Sequence, residues 1–437
     1  MKAMKKYIGI LMGLVLLASC KSLDYPDRFE GTSGVPEVNY VRYADRDLLI
    51  TQAAMEETIC IVGDNLTSVH DIYFNDQPAV LNTSYMTFHA LIVTIPRTLP
   101  EVQDDKIHLI TRDSTVVLYD FKVLPPAPKV SAMSCEWAPV GETVTITGSY
   151  LFAPLTVEFP GADPVEVTVS TGDAFDVVVP AGAQPGKIKV TNSSGTGQSL
   201  FQYKDSRGML FDFDGLTGLD NHGWNGHSSQ DDDGTGIAGR FFQFGDGTAV
   251  LDGSWEENYY SFVYWPGTWN DPENYDDGVS PTPRLCDIVD FSKWSNMALK
   301  FEMYIPSSNP WQAGAMQLII GGVDVITGGG EGVLDIYGNV TAGANNTFIS
   351  GDGVPQAPRA LYIPWKDSGS FDTGDKWITV SFPYTTFAYN SDGTANTEEI
   401  KPESFTSLTI FVWSGGVTGT DCQPIIKIDN IRAVPIK

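Results

Sequence analysis

Aromatic side chains crowd one stretch of this sequence, Trp255 to Trp269, where seven of fifteen residues are Trp, Tyr or Phe. The stretch ends in turn chemistry, Pro266-Gly267 and then Asn270-Asp271-Pro272. A loop built this way must expose some of its rings, and exposed apolar surface marks a binding face. Nine of the ten tryptophans lie after residue 207. Four of them sit in loop chemistry: Trp265 and Trp269 flank Pro266-Gly267, Trp311 follows Pro310, and Trp365 follows Pro364. These four are the leading candidates to touch a ligand. Trp224, between two glycines, and Trp255 come next. Tyr264, Tyr362, Asn270 and Glu302 are the polar partners expected beside them. Trp294, Trp377 and Trp413 lie in or next to strand patterns and read as packing.

The ligand these rings would meet is neutral. Between Trp224 and Arg284 the only Lys or Arg is Arg240, whereas an acidic or sulfated ligand calls for guanidinium or ammonium groups. The formal net charge is -27, which excludes nucleic acid as a partner, since that requires basic patches. It also disfavours attraction to anionic lipid.

Other chemistries find little support. A glycoside hydrolase needs two carboxylates about 5–10 Å apart. The nearest approach to the sandwich-hydrolase pattern Glu-x-Asp-x-x-Glu is Val250 to Trp255, which lacks both glutamates. Neither Gly-x-Ser-x-Gly nor His-Glu-x-x-His occurs. His222 and His227 lie near Asp231-Asp232-Asp233-Gly234, but the spacing matches no EF-hand loop and reads as a solvated turn. No catalytic residue, metal ligand or cofactor is expected.

The elements that must carry the rings begin with an export signal. Lys2, Lys5 and Lys6 precede an apolar run, Ile8 to Leu17, too short to span a bilayer. Leu17-Ala18-Ser19-Cys20 then resembles the lipobox of bacterial lipoproteins, which implies removal of residues 1–19 and lipidation of Cys20. Several acyl chains on one residue anchor firmly. Lys21 follows, so no Asp signals inner-membrane retention, and an outer-membrane lipoprotein facing the exterior is expected. Residues 20–34 form the anchor and a flexible tether. Cys60, Cys135, Cys286 and Cys422 are scattered, and their spacing demands no disulfide. Cys60 sits between Ile59 and Ile61, on the opposite face of a strand, as a free thiol.

Two copies of one pattern follow. Glu57-Thr58-Ile59-Cys60-Ile61-Val62-Gly63-Asp64-Asn65-Leu66 matches Glu142-Thr143-Val144-Thr145-Ile146-Thr147-Gly148-Ser149-Tyr150-Leu151, and later strands match at offsets of 81 to 85 residues. This is a domain duplication. Each copy, 35–124 and 125–204, shows short alternating strands between Gly, Asn, Asp and Pro, the pattern of a small antiparallel sandwich. The shared element resembles the IPT/TIG class of immunoglobulin-like domains. Neither copy has an aromatic loop, so both read as spacers, joined by the semi-rigid Leu124-Pro125-Pro126-Ala127-Pro128. Each adds roughly 35 Å of reach, given a radius of gyration of about 13 Å for 100 residues.

Residues 207–437 form the third and largest unit. Leu299 to Ile305 alternates apolar and polar, and Trp377–Phe382, Ser407–Trp413 and Ile425–Val434 read as further strands. No long helical period appears. The chain is therefore all-β: tandem immunoglobulin-like sandwiches followed by a larger, jelly-roll-type sandwich. Phe211-Asp212-Phe213-Asp214-Gly215 and Ile428-Asp429-Asn430-Ile431-Arg432 look like the first and last strands of carbohydrate-binding sandwiches. With the lipobox, the duplicated domains and the loop tryptophans, the whole chain resembles the surface glycan-binding proteins of Bacteroidetes polysaccharide-utilisation systems, type B.

That resemblance implies a non-catalytic protein that captures a neutral polysaccharide or oligosaccharide at the cell surface for a Sus-like system. A β-linked plant-type glycan such as xyloglucan, β-glucan, mannan or xylan is expected, and an outer-membrane glycan transporter is a candidate partner. In such a site an aromatic ring accepts the C–H face of a pyranose. Two to four rings give a Kd of roughly micromolar to millimolar. The alternative from another class is a surface adhesin or assembly protein, since protein interfaces also favour Trp and Tyr. A glycoside hydrolase is the third reading.

Overall fold

The computed structural model describes residues 31–221, 228–264, 283–321, 333–334, 340–341 and 356–436. The signal segment, Cys20 and most of the tether lie outside them. No helix among the described residues is long and apolar enough to cross a membrane. Almost every regular element is a strand, and the all-β fold class expected from the alternating patterns is what the chain adopts.

The chain divides into two compact units, Met1–Ala127 with Ser193–Gly195, and Pro128–Asn192 with Thr196–Lys437. The first is the first sandwich. One sheet pairs Leu49–Ile50, Glu37–Tyr43, Thr58–Asp64 and Ala90–Thr94, and the other pairs Gln77–Ala79, Val69–Phe74, Lys106–Thr111 and Val116–Asp120. In Lys106–Thr111 every second residue is buried, as the two-residue period of a half-buried strand requires. Ile59 and Ile61 enter the core cluster, while Cys60 is buried outside it as a free thiol.

The second sandwich repeats the arrangement. Lys129–Met133, Thr143–Leu151 and Gly172–Val178 form one sheet; Val165–Val167, Leu155–Glu158, Lys189–Asn192 and Gly195–Gln198 form the other. The glycine shared by the duplicated motif has a structural cause. In each copy it faces a bulge in the first strand, Gly63 opposite Val38 and Gly148 opposite Val130. A Cβ would meet the Glu37 carbonyl oxygen at 1.8 Å in one copy and that of Lys129 at 1.9 Å in the other. Only glycine admits so close a backbone.

The second unit carries this second sandwich together with the C-terminal domain. That domain is two antiparallel sheets over one core. The five-stranded sheet is built around the strand Ile426–Pro435. Met209–Phe211 and Phe242–Phe244 pair with different parts of it, and Met297–Tyr304 pairs with it over most of its length, followed outward by Ile378–Pro383. The four-stranded sheet runs Ser261–Tyr264, Leu408–Val412, Met316–Ile320, Arg359–Tyr362. Phe211, Phe301 and Ile428 from the first sheet meet Phe262, Leu318 and Ile410 from the second in a single apolar cluster.

The second face of the five-stranded sheet is not open to solvent. Met297–Tyr304 alternates in sequence, yet six of its eight residues are buried, because the second sandwich packs against it. Glu136 of that sandwich pairs with Lys300 Nζ at 2.5 Å and with Arg432 Nη2 at 2.9 Å. Arg432 also pairs with Glu302 at 2.7 Å. The Thr379 amide donates to the Ser134 carbonyl at 2.8 Å, and the Glu136 amide to Thr379 Oγ1 at 2.6 Å.

Candidate functional site

In the four-stranded sheet, Phe262, Ile410, Leu318 and Ala360 lie side by side and face the core. One residue along, the side chains point away from it: Ser261, Phe411 and Gln317 in one row, Val263, Thr409, Ile319 and Arg359 in the next. A half-buried antiparallel sheet with a solvated outer face would carry polar residues there. This face is mixed and buried: Ser261, Gln317, Thr409 and Arg359 alternate with Phe411, Val263 and Ile319, all seven are buried, and Val263, Ile319, Phe411 and Ala357 form a second, separate cluster.

An exposed ring, Trp255, packs on one end of that outer face. Trp255 lies over Phe411 with centroids 4.7 Å apart, and meets Trp413 edge-on at 5.2 Å. Trp255 keeps 37% of its surface exposed, and Tyr259 and Tyr389 are exposed too. Val412 ends its strand opposite Met316, so Trp413 stands past the strand end, half-buried. Polar groups are fixed beneath these rings. Gln317 Nε2 donates to the Trp413 carbonyl at 2.6 Å, and Gln317 Oε1 accepts from Arg359 Nη1 at 2.7 Å. Burial pushes the Arg359 guanidinium down to about 9. Tyr389 is held beside Arg359 by its amide, which donates to the Arg359 carbonyl at 3.2 Å. The arrangement is an aromatic patch whose backbone is braced from below by the buried Gln317 and Arg359, with Trp255 suited to stacking on a ring.

Residues 203–435 match the family described as surface glycan-binding protein B, xyloglucan binding domain. The chain belongs to the surface glycan-binding protein B family. A crystal structure of the surface glycan-binding protein PbSGBP-B from Prevotella bryantii is 42% identical, at a TM-score of 0.75 over 93% of this chain and 100% of that one. An IPT/TIG domain-containing protein of Bacteroides ovatus is 28% identical over 193 residues, 38% of this chain and 37% of that relative's length. The family is one of cell-surface glycan-binding proteins, and the immunoglobulin-like resemblance of the repeated domains agrees with the second relative.

In this member of the surface glycan-binding protein B family, several residues expected at the site belong to the core. Trp311 is fully buried; its Nε1 donates to the Ala313 carbonyl at 2.5 Å, and its backbone pairs with Phe371. Trp365 is buried, with Nε1 on the Gly314 carbonyl at 2.9 Å. Both follow a proline in a short loop, but the loops fold back over the open end of the sandwich and the indoles plug it. Tyr264 alternates inward from its strand, packs on Phe211 at 5.1 Å and donates to the Pro283 carbonyl at 2.7 Å. Tyr362 is half-buried among Trp311, Phe371 and Phe382, where burial pushes its phenol up to about 12. Glu302 is fully buried on the face that meets the second sandwich, paired with Arg432. None of these five presents its polar or aromatic group to a ligand at the patch.

Trp255 is the one expected ring found exposed among the described residues. Trp224, Trp265, Trp269 and Asn270 lie outside them. Trp294 packs beside Phe405, as its place before a strand suggests. Trp413 is the ring sequence reasoning assigned to packing and the structure brings to the patch. Ser414-Gly415-Gly416 directly after it is the turn signal that could have identified it. The acidic run at 231–233 forms a turn: Asp232 accepts the amides of Gly234 and Gly236, and Asp233 pairs with Lys427 at 2.6 Å.

Proposed function

We propose that this protein captures a neutral, β-linked polysaccharide at the outer face of the cell and does not cleave it. The observation carrying this reading is the Trp255–Phe411–Trp413 patch on the outer face of a family-typical sandwich. A neutral ligand fits because Arg240 is the only Lys or Arg between Trp224 and Arg284, and its guanidinium is engaged by Asp231 and Ser229. Xyloglucan, β-glucan, mannan and xylan are the first glycans to test, since an extended chain lies flat on such a patch. Cys20 anchors the chain to the outer membrane, the first sandwich serves as a spacer, and an outer-membrane transporter receives the glycan.

Affinity electrophoresis of residues 21–437 against neutral and acidic polysaccharides tests the reading. Retardation by one neutral β-glycan, lost in Trp255→Ala or Trp413→Ala, is the expected result. Retardation by none of them transfers the patch to a protein partner and the adhesin reading. Release of reducing ends from a bound glycan, abolished by changing one carboxylate, overturns the non-catalytic reading.

A further inference from the structure

The junction between the second sandwich and the C-terminal domain leaves a cleft of about 270 Å³. One wall carries Glu142 from the second sandwich; the other carries Tyr304, Asp375, Lys376 and Trp377. The two walls cannot drift apart freely. The buried Glu136–Arg432–Glu302 pairs and the Thr379–Ser134 backbone hydrogen bond hold them in one relation. Such a cleft is pre-organised, so little ordering cost falls on a ligand that enters it.

Its chemistry is specific. Trp377 is half-buried, and its Nε1 donates to the Thr235 carbonyl at 2.6 Å, which fixes the indole plane. Tyr304 stands beside it, centroids 5.6 Å apart at 41°. Asp375 is held below the usual carboxylate range by the Ser307 amide and hydroxyl, which donate at 2.9 and 2.8 Å. It keeps lone pairs to spare. An anion would meet both Glu142 and Asp375 here. Lys376 in the same lining offsets part of that negative charge, and on the aromatic side Lys427 Nζ already lies 4.3 Å from the Phe241 centroid and 5.8 Å from that of Tyr304, paired with Asp233. This lining fits a neutral, polyhydroxylated ring, with an apolar face for an indole and hydroxyls for two carboxylates. The volume falls just below the range of about 300–1,000 Å³ typical of pockets for drug-sized ligands. It suits one or two sugar units.

We propose that this cleft is a second saccharide site, taking a chain end or side branch of a neutral glycan, with Trp377 as the stacking ring and Glu142 and Asp375 as hydroxyl acceptors. The second sandwich is then part of a binding site as well as a spacer. The site is separate from the Trp255 patch, and its test is independent of the reading of that patch.

The test follows the indole N–H resonances of protein labelled with ¹⁵N-tryptophan, with Trp377 assigned through Trp377→Phe. Cellobiose, xylobiose and mannobiose are titrated into the millimolar range. The expected result is a saturable shift of the Trp377 resonance with at least one disaccharide. It persists in Trp255→Ala and weakens at least tenfold in Glu142→Ala, whose melting temperature matches the wild type. A Trp377 resonance that no disaccharide moves overturns the proposal, as does a shift that Glu142→Ala and Asp375→Ala leave unaltered. Polysaccharide retardation lost in Trp255→Ala, with a Trp377 resonance that never moves, retains the patch and rejects the cleft. The converse pattern does the opposite.

Discussion

Glu136, in the second sandwich, and Arg432, in the last strand of the C-terminal domain, form an ion pair 2.9 Å long whose side chains are 4% and 0% exposed. They lie 296 residues apart in sequence. Lys300 and Glu302 complete the set, two acids against two bases. A charge buried without its partner costs far more than the pair contributes when complete. Glu136→Ala therefore destabilises the second unit by about 3–5 kcal/mol, read as a lowered urea midpoint. Removing Lys300 as well costs less than the two single changes added together. A midpoint unchanged by Glu136→Ala would show that the junction is held by something else.

Asp429 gives a pH dependence with a definite sign. Burial, opposed by the Asn430 amide and reinforced by the nearby acids, pushes its carboxyl up to about 9. A raised acid holds its proton in the folded state and loses it on unfolding. Its contribution to stability is whole below about pH 4, the ordinary Asp value, and is lost as pH rises through 9. The slope from this one group reaches about 1.4 kcal/mol per pH unit. Asp429→Asn keeps the shape and removes the proton. Denaturation at pH 5 and pH 8 should show the variant gaining on the wild type as pH rises. Parallel curves refute the shift.

Trp255 and Trp311 should separate binding from stability. Trp255→Ala removes an exposed ring and weakens glycan binding by about 1–3 kcal/mol, roughly five- to hundredfold, by analogy with aromatic stacking on bases. Its melting temperature changes little. Trp311→Ala empties a core position and costs about 3–5 kcal/mol of stability, with the Kd of the folded fraction unchanged. Calorimetric titration and thermal melts on both variants decide it. The reverse pattern would move the ligand contact from Trp255 to the loop that carries Trp311.

The thiols should be inert. Cys60 and Cys135 are buried and unpaired, and burial pushes both above the ordinary thiol range. Only the thiolate reacts. Iodoacetamide on the native protein should leave both unmodified by mass spectrometry, and a reductant should not move the melting temperature. A reductant-sensitive melt would reveal a disulfide.

The strands were readable because they alternate: Ile378, Val380 and Phe382 announce a face by period alone. The duplication was readable because a bulge demands glycine at the same place twice, Gly63 and Gly148. Exposure of the tryptophans was not. Proline and glycine around Trp311 and Trp365 mark loops correctly, but they carry no information on whether a loop turns outward or folds over the sandwich end. Glu302 misled for another reason. Its even position on an alternating strand reads as solvent-facing, and nothing local records that residue 136 will cover it. Trp377 and Trp413 were hidden by their neighbours in sequence, since each adjoins a strand whose pattern suggests packing.

The central strand of the five-stranded sheet is Ile426–Pro435, and Met209–Phe211, Phe242–Phe244 and Met297–Tyr304 all hydrogen-bond to it. Two of the three, Met209–Phe211 and Phe242–Phe244, pair with no other strand among the described residues. Truncation before Ile426 therefore leaves Met209–Phe211 and Phe242–Phe244 with no strand partner, and the five-stranded sheet cannot close.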